Sequence, residues 1–373
     1  MFLRAAMRDH QNHRGHLVKF FRCQRCGQAL LFEDTKCELC GYSLGYLPDL
    51  GTMSAVEPEG SGWIASADHE SRYRFCMNWE HHGCNWMIHA DEGETFCRAC
   101  RHNRTVPDLS DPARLADWQK IEVAKRRLIY SLIKFGLPLP TIASGDPEPL
   151  VFDFLASPTD PAAGPKIMTG HEQGVITLAL EEANDARRER RRAAMGEPYR
   201  TLLGHFRHEI GHFYWDKLVR DTDKLVGCRE VFGDDSVDYD AALKQHYEHG
   251  APADWQLNYI SAYATSHPWE DFAETWAHYM HIVDTLETAH VFGVSIDPLE
   301  NEGDRLRVVA DFDPYDVESI SRLIDAWQPL SFALNGMARS MGQGDLYPFT
   351  LTQAVIDKLG YIHTLVQGAP RTE

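Results

Sequence analysis

No run of apolar residues in this chain approaches the roughly 20 needed for a helix to cross a membrane. A membrane-spanning helical protein is therefore not expected. The stretch from Met1 to His16 carries Arg and His but has no continuous apolar core followed by small residues. It does not read as a secretory signal, and the expected location is the cytoplasm. Positive charge is scarce: 37 Lys and Arg stand against 55 Asp and Glu, for a net charge of -18. A sequence-independent nucleic-acid binder needs a basic surface, so nucleic acid is not the expected partner. Cysteine almost disappears after residue 100, where Cys228 alone remains of nine. A lone cysteine is usually a small buried residue rather than a nucleophile. What is present is a globular composition, 43% hydrophobic and 25% charged. At 373 residues the chain is long enough for two or three domains, one of them with a full core.

The eight cysteines before residue 101 organise the front of the chain. In a reducing compartment such a cluster argues for metal ligation over disulfides. Cys23-x-x-Cys26-Gly27 and Cys37-x-x-Cys40-Gly41 are two knuckles, each closed by a Gly that lets backbone N–H groups turn toward the thiolates. Together they predict a tetrahedral four-cysteine zinc site, with iron in a rubredoxin-like arrangement as the alternative. Cys76, Cys84, Cys97 and Cys100 predict a second site, although only Cys97-x-x-Cys100 has the tight spacing. His81, His82, His89 and His102 lie close enough in sequence to replace one thiolate. Tyr73, Phe75, Trp79, Trp86 and Phe96 are expected to form the small core around this metal, because a domain of this size needs such a staple. Four protein ligands leave no open position, so both sites read as structural. Gly51 to Ser71 reads as a loop or as ribbon strands. The expected division is a zinc-ribbon domain over 19–106 and a second domain over 107–373.

The second domain begins with a helix signal at Asp108-Leu109-Ser110-Asp111-Pro112. Apolar residues recur at helical spacing from Leu115 to Ile133, and Phe135-Gly136-Leu137-Pro138 ends the pattern. A proline-rich stretch over 138–165 holds a short strand at Leu150 to Phe154. His171 to Gly174 reads as a turn feeding a strand over Val175 to Leu180. Glu181 to Met195, with Arg187-Arg188-Glu189-Arg190-Arg191-Arg192, reads as a solvated helix face. After Met280 the chain reads as helical, with helices over Asp316 to Trp327 and Pro348 to Val366 and a connection over Asn335 to Tyr347.

The chemistry concentrates in His208-Glu209-Ile210-Gly211-His212, the H-E-x-x-H pattern. On a helix, residues four apart share a face, so two imidazoles can hold one zinc ion. Zinc brings a water toward neutral pKa, and the adjacent Glu209 takes its proton as it attacks a carbonyl. Leu202, Leu203, Phe206, Ile210 and Phe213 supply the opposite, apolar stripe. A catalytic zinc needs a third protein ligand and an open position. The metzincin arrangement is excluded, because Trp215 and Leu218 stand where its Gly and His would be. The best remaining source is the helix begun by Pro268, which carries Glu270 and Glu274 four residues apart. One can bind the zinc while the other fixes the outer nitrogen of a ligand His. His246, Glu248, His249, His278 and His281 are further donors.

His208-Glu209-Ile210-Gly211-His212 followed by Glu270-Asp271-Phe272-Ala273-Glu274 resembles the gluzincin pattern, particularly the lethal-factor-like endopeptidases. More broadly, the chain after about Lys19 resembles a bacterial family of zinc-binding metallopeptidases with an N-terminal zinc ribbon. The cysteine knuckles, the run from Gly196 to Glu209 and Ser340-Met341-Gly342-Gln343 carry that resemblance. It implies an α+β fold, in which a mainly helical zincin-like domain with a small sheet follows the ribbon module. It implies Glu270 as the third zinc ligand and Glu274 as the orienting carboxylate. Tyr263, seven residues before Glu270, is implied as the oxyanion donor, with Tyr259 close enough to compete. In zinc peptidases a strand lies across the cleft, and Val175 to Leu180 is expected to offer its free edge to an extended substrate. The expected cofactors are one catalytic and two structural zinc ions. The expected partners are a peptide or protein substrate and a protein bound through the ribbon. The competing expectation is a ribbon interaction module whose H-E-x-x-H site is not catalytic.

Overall fold

The computed structural model describes residues 20–158, 166–195, 200–299 and 306–370. Met1 to Lys19, the middle of the proline-rich stretch and Gly196 to Tyr199 lie outside the described residues. The chain is mixed helix and sheet. Its front opens with a short hairpin of β1 (Phe21–Arg22) and β2 (Ala29–Leu30) built around the first knuckle. Gly27 and Gly41 close the two knuckles in the left-handed region, at φ 75° and 77°. An antiparallel five-stranded sheet follows: β3 (Ser43–Leu47), β4 (Thr52–Glu59), β5 (Gly62–Ala65), β6 (Asp68–Phe75) and β7 (Met87–His89), hydrogen-bonded in that order. Gly51 to Ser71 is thus sheet rather than loop. The sheet curls until its outer strands meet. Tyr46 N–H donates to Asn85 O at 2.8 Å, and Tyr46 pairs with Trp86. Gly45 permits this approach, since a Cβ there would stand 2.3 Å from the Met87 sulfur. Trp86 is buried in the cluster that holds the cysteines, as expected. Tyr73 is instead buried in a separate small cluster with Leu47, Val56, Ala65 and Met87, and Phe96 is exposed.

The rest of the chain begins with β8 (Asn103–Thr105) and α1 (Pro112–Phe135). Asp111 caps α1 by accepting from the Ala113 and Arg114 N–H groups, and Gly136 ends it at φ 69°. Then come β9 (Val151–Leu155), β10 (Gly170–Glu172) and β11 (Val175–Ala179). They form one sheet in the order β10-β11-β9-β8, so a strand from the ribbon side of residue 106 completes it. The expectation of a free edge at Val175 to Leu180 is corrected here. β11 is parallel to β9 on one side and antiparallel to β10 on the other. The cause is a two-residue turn at Gln173 and Gly174, both at positive φ (48° and 83°), which folds His171 and Glu172 back into a strand. Leu180 already belongs to the next helical turn, Leu180–Ala183.

The helices follow: α2 (Asp185–Met195), α3 (Leu202–Trp215), α4 (Leu225–Phe232), α5 (Tyr239–His249) and α6 (Pro268–Val291). Arg187, Glu189 and Arg190 on α2 are exposed, as a solvated face requires. The chain after Met280 is not helical throughout. β12 (Ser295–Ile296) and β13 (Val308–Val309) form a hairpin ahead of α7 (Ile320–Ser340) and α8 (Gln353–Gln367). Ser319 caps α7, accepting from Ser321 N–H, so the helix starts after Asp316 and continues through Asn335 despite Pro329. One apolar core runs from Phe21 to Ala369 and contains cysteines of both knuckle sets. Phe32 and Tyr46 of the ribbon pack against Tyr130 of α1, with ring centroids 5.5 and 6.3 Å apart. No described helix is long and apolar enough to cross a membrane.

Candidate metal centre

Thr201 starts α3 by accepting from Gly204 N–H at 2.9 Å. Phe206, Ile210 and Phe213 are fully buried, and His208, Glu209 and His212 are nearly so. The helix is therefore enclosed on both its apolar and its polar face. Its polar face meets the first turns of α6, which His267 caps through Nδ1 and Pro268 opens. The two helices touch at Gly211. A Cβ there would stand 2.9 Å from Ala273 Cα and 3.1 Å from Trp276 Cβ.

This close packing brings His208, His212 and Glu270 together. His208 Nε2 lies 3.1 Å from His212 Nε2. Glu270 Oε2 lies 3.0 Å from the first and 3.4 Å from the second. A tetrahedral ion with bonds of roughly 2.0–2.2 Å would separate its ligand atoms by about 3.3 Å. Glu270 Oε2 is buried, and beyond the two imidazole nitrogens it has no hydrogen-bond partner among the described residues. A buried carboxylate oxygen in that position fits a cation. The remaining contacts agree. Glu274 Oε1 is 2.7 Å from His208 Nδ1, and Ser261 Oγ donates to Glu274 Oε2 at 2.6 Å. Burial works to raise the Glu274 pKa, but the hydrogen bond and charge of His208 hold it at about 2. The Glu274 carboxylate is an acceptor for the Nδ1 proton, so a neutral His208 would turn its Nε2 lone pair toward the cluster.

Glu209 is pushed up to about 7, first by burial and then by the Glu270 and Glu274 carboxylates against the opposing charge of His208. Tyr263 sits in the short turn Tyr263–Thr265, its ring 5.9 Å from that of His208. Burial, followed by the charge of Glu270, raises its hydroxyl far above the ordinary tyrosine value, so it remains a donor. Tyr259 lies elsewhere, under Lys358 Nζ at 4.1 Å. The other candidate donors are engaged away from the cluster. His246 meets Thr265, His249 meets its own helix at Gln245, and Glu248 is exposed beside Lys244. His278 meets Tyr347, and His281 meets Arg207.

Three contacts were not signalled by the sequence. Tyr239 donates its hydroxyl to Glu270 Oε1. Ser261 supports Glu274, and the Trp269 ring lies 3.7 Å from the His212 ring. Tyr239 and Ser261 fall in the long interval between His212 and Glu270, where no spacing rule singles them out. Trp269 beside Glu270 could have been suspected from adjacency alone.

The cysteines gather into the two expected sets. Cys23 and Cys40 sulfurs are 3.6 Å apart, as are those of Cys26 and Cys37, and Cys84 and Cys97 are 3.7 Å apart. Disulfide sulfurs stand about 2.0 Å apart, whereas thiolates around one zinc at about 2.3 Å stand close to 3.8 Å apart. Both sets fit zinc ribbons. His102 is not among these ligands; it faces Leu150 O at 3.0 Å. Cys228 is buried, and burial pushes its thiol up to about 12.

Comparison with known proteins agrees with both parts. A family described as "putative zinc-binding metallo-peptidase" matches residues 114–365, and a zinc-ribbon domain matches residues 20–111. Uncharacterized proteins of Mycobacterium bovis and Mycobacterium tuberculosis are each 41% identical over 353 residues, covering 94% of this chain and 95% of the relative. No solved structure matches the chain.

Proposed function

The chain belongs to this zinc-binding metallopeptidase family, and from that membership we propose a zinc-dependent peptidase acting at His208, His212 and Glu270. The observation that carries the reading is the buried Glu270 Oε2 facing both Nε2 atoms, at 3.0 and 3.4 Å. A zinc ion held there would supply Lewis-acid polarisation and a water of near-neutral pKa. Glu209, beside His208, takes a proton during attack on the peptide carbonyl and returns it to the leaving amine. Tyr263, by its resemblance to the lethal-factor-like pattern, donates its hydroxyl to the carbonyl oxygen as that atom gains charge. Glu274 keeps His208 in the tautomer that presents Nε2. The eight ribbon cysteines hold two structural zinc ions, which makes three ions per chain. The substrate is a peptide or protein, and the reduced thiols suit a cytoplasmic setting. The ribbon, over 19–106, is a candidate surface for a protein partner.

Metal analysis and one substitution test this. Three zinc ions per chain are expected in the wild type and in Glu209→Gln, with peptide hydrolysis lost only in the variant. Hydrolysis retained by Glu209→Gln would reject the mechanism. Two ions per chain would favour an interaction module without a catalytic centre.

A further inference from the structure

We propose that Tyr239 is a positioning residue of the metal centre, holding Glu270 so that the carboxylate offers one oxygen to the ion. The inference rests on the zinc reading of His208, His212 and Glu270. The two oxygens of Glu270 have different surroundings. Oε2 faces the imidazole nitrogens, while Oε1 accepts the Tyr239 hydroxyl. A carboxylate has acceptor capacity on both oxygens and can bind a metal through one or both. A phenolic hydrogen bond on Oε1 occupies the second oxygen. The ligand set then stays at two nitrogens and one oxygen, with room for the reacting water.

The placement of Tyr239 is specific. It is the first residue of α5, immediately after the cap Asp238, which accepts from Ala241 N–H at 2.8 Å. Its ring packs against those of His267 and Trp269, at centroid distances of 5.2 and 5.6 Å. Both belong to the start of α6, so the ring is fixed to the same helical turn that carries Glu270. Tyr239 is half-buried and no residue of α5 is fully buried, and Gly233 and Gly250 bound the segment at φ 102° and 75°. An aromatic ring filling space would need no hydroxyl. This one directs its hydroxyl onto the single carboxylate oxygen that faces away from the imidazoles.

The test uses the full chain with zinc in both cysteine sites and Co2+ in the third. Tyr239→Phe keeps the ring and removes the hydroxyl. Tyr247→Phe, an exposed position on the same helix, is the control. The variant is expected to bind the third ion about 10- to 100-fold more weakly in a chelator competition, the usual effect of losing a ligand's outer partner. Its visible Co2+ bands should also weaken, because a second oxygen entering the coordination sphere raises the coordination number. Purely structural damage would lower the melting temperature without changing the Co2+ spectrum, and that result rejects the proposal. A wild-type chain that takes up only two ions overturns both the zinc centre and this role. A third ion in the wild type, with unchanged spectrum and affinity in Tyr239→Phe, overturns the role of Tyr239 alone.

Discussion

Glu274 divides its two oxygens between His208 Nδ1 and Ser261 Oγ, at 2.7 and 2.6 Å. Removing it leaves a buried imidazole N–H and a hydroxyl without their acceptor, and His208 loses the group that fixes its tautomer. Glu274→Ala is expected to weaken the third zinc by about 10- to 100-fold, measured by competition with a chromophoric chelator. Ser261→Ala keeps the carboxylate and should have a smaller effect in the same direction. Equal zinc affinity in Glu274→Ala and the wild type would reject the orienting role. At this scale the sequence was informative where residues repeat at helical spacing. His208 and His212, or Glu270 and Glu274, must share a face once a helix forms. Spacing could not say which carboxylate would reach the two Nε2 atoms. That depends on how far α6 is advanced along α3, a tertiary quantity. Tyr239 was illegible for the same reason, because its partner lies 31 residues away.

The two helices that carry the proposed centre are set against one another by Gly211. Glycine within a helix costs about 1 kcal/mol relative to alanine. The close approach of α6 accounts for the glycine between Ile210 and His212. In Gly211→Ala the new methyl would meet backbone atoms of α6, with Ala273 Cα at 2.9 Å and Ala273 O at 3.2 Å. Backbone cannot swing aside as a side chain can, so the helices must separate. Such overpacking costs about 1–3 kcal/mol, offset by the helix-propensity gain of about 1 kcal/mol. The same movement would draw Glu270 away from His208 and His212. Thermal unfolding should report the first effect and metal content the second. A variant with an unchanged melting temperature and three bound zinc ions would show that the contact is slack. Helix starts were legible at this scale because capping is local, as at Asp111 with Pro112. Strand edges were not. The Gln173-Gly174 turn lacks the familiar Asn-Gly or Asp-Gly signature, so the strand it folds back went unrecognised.

For the whole molecule, the composition and the knuckles separated a cysteine-rich front from a cysteine-poor remainder, and the two family matches follow the same contrast. What the sequence concealed is how tightly the parts are joined. β8 follows Cys100 directly yet pairs in parallel with β9, closing one side of the second sheet. Lys125 of α1 is fully buried, and its ammonium meets Glu122, Asn103 Oδ1 at 2.6 Å and Cys100 Sγ at 3.9 Å. A buried charge left without its hydrogen-bond partners is costly. A fragment over 107–373 would lose β8, Asn103, the second cysteine set and the Phe32 and Tyr46 rings together. It would expose the β9 edge as a template for aggregation. The fragment is therefore expected to be insoluble or to lack a cooperative thermal transition, even with zinc supplied. The full chain should melt with both parts unfolding together, followed by tryptophan fluorescence from Trp86 in the ribbon and Trp276 in α6. A soluble 107–373 fragment that binds one zinc ion and unfolds cooperatively would show that the ribbon is a separable appendage.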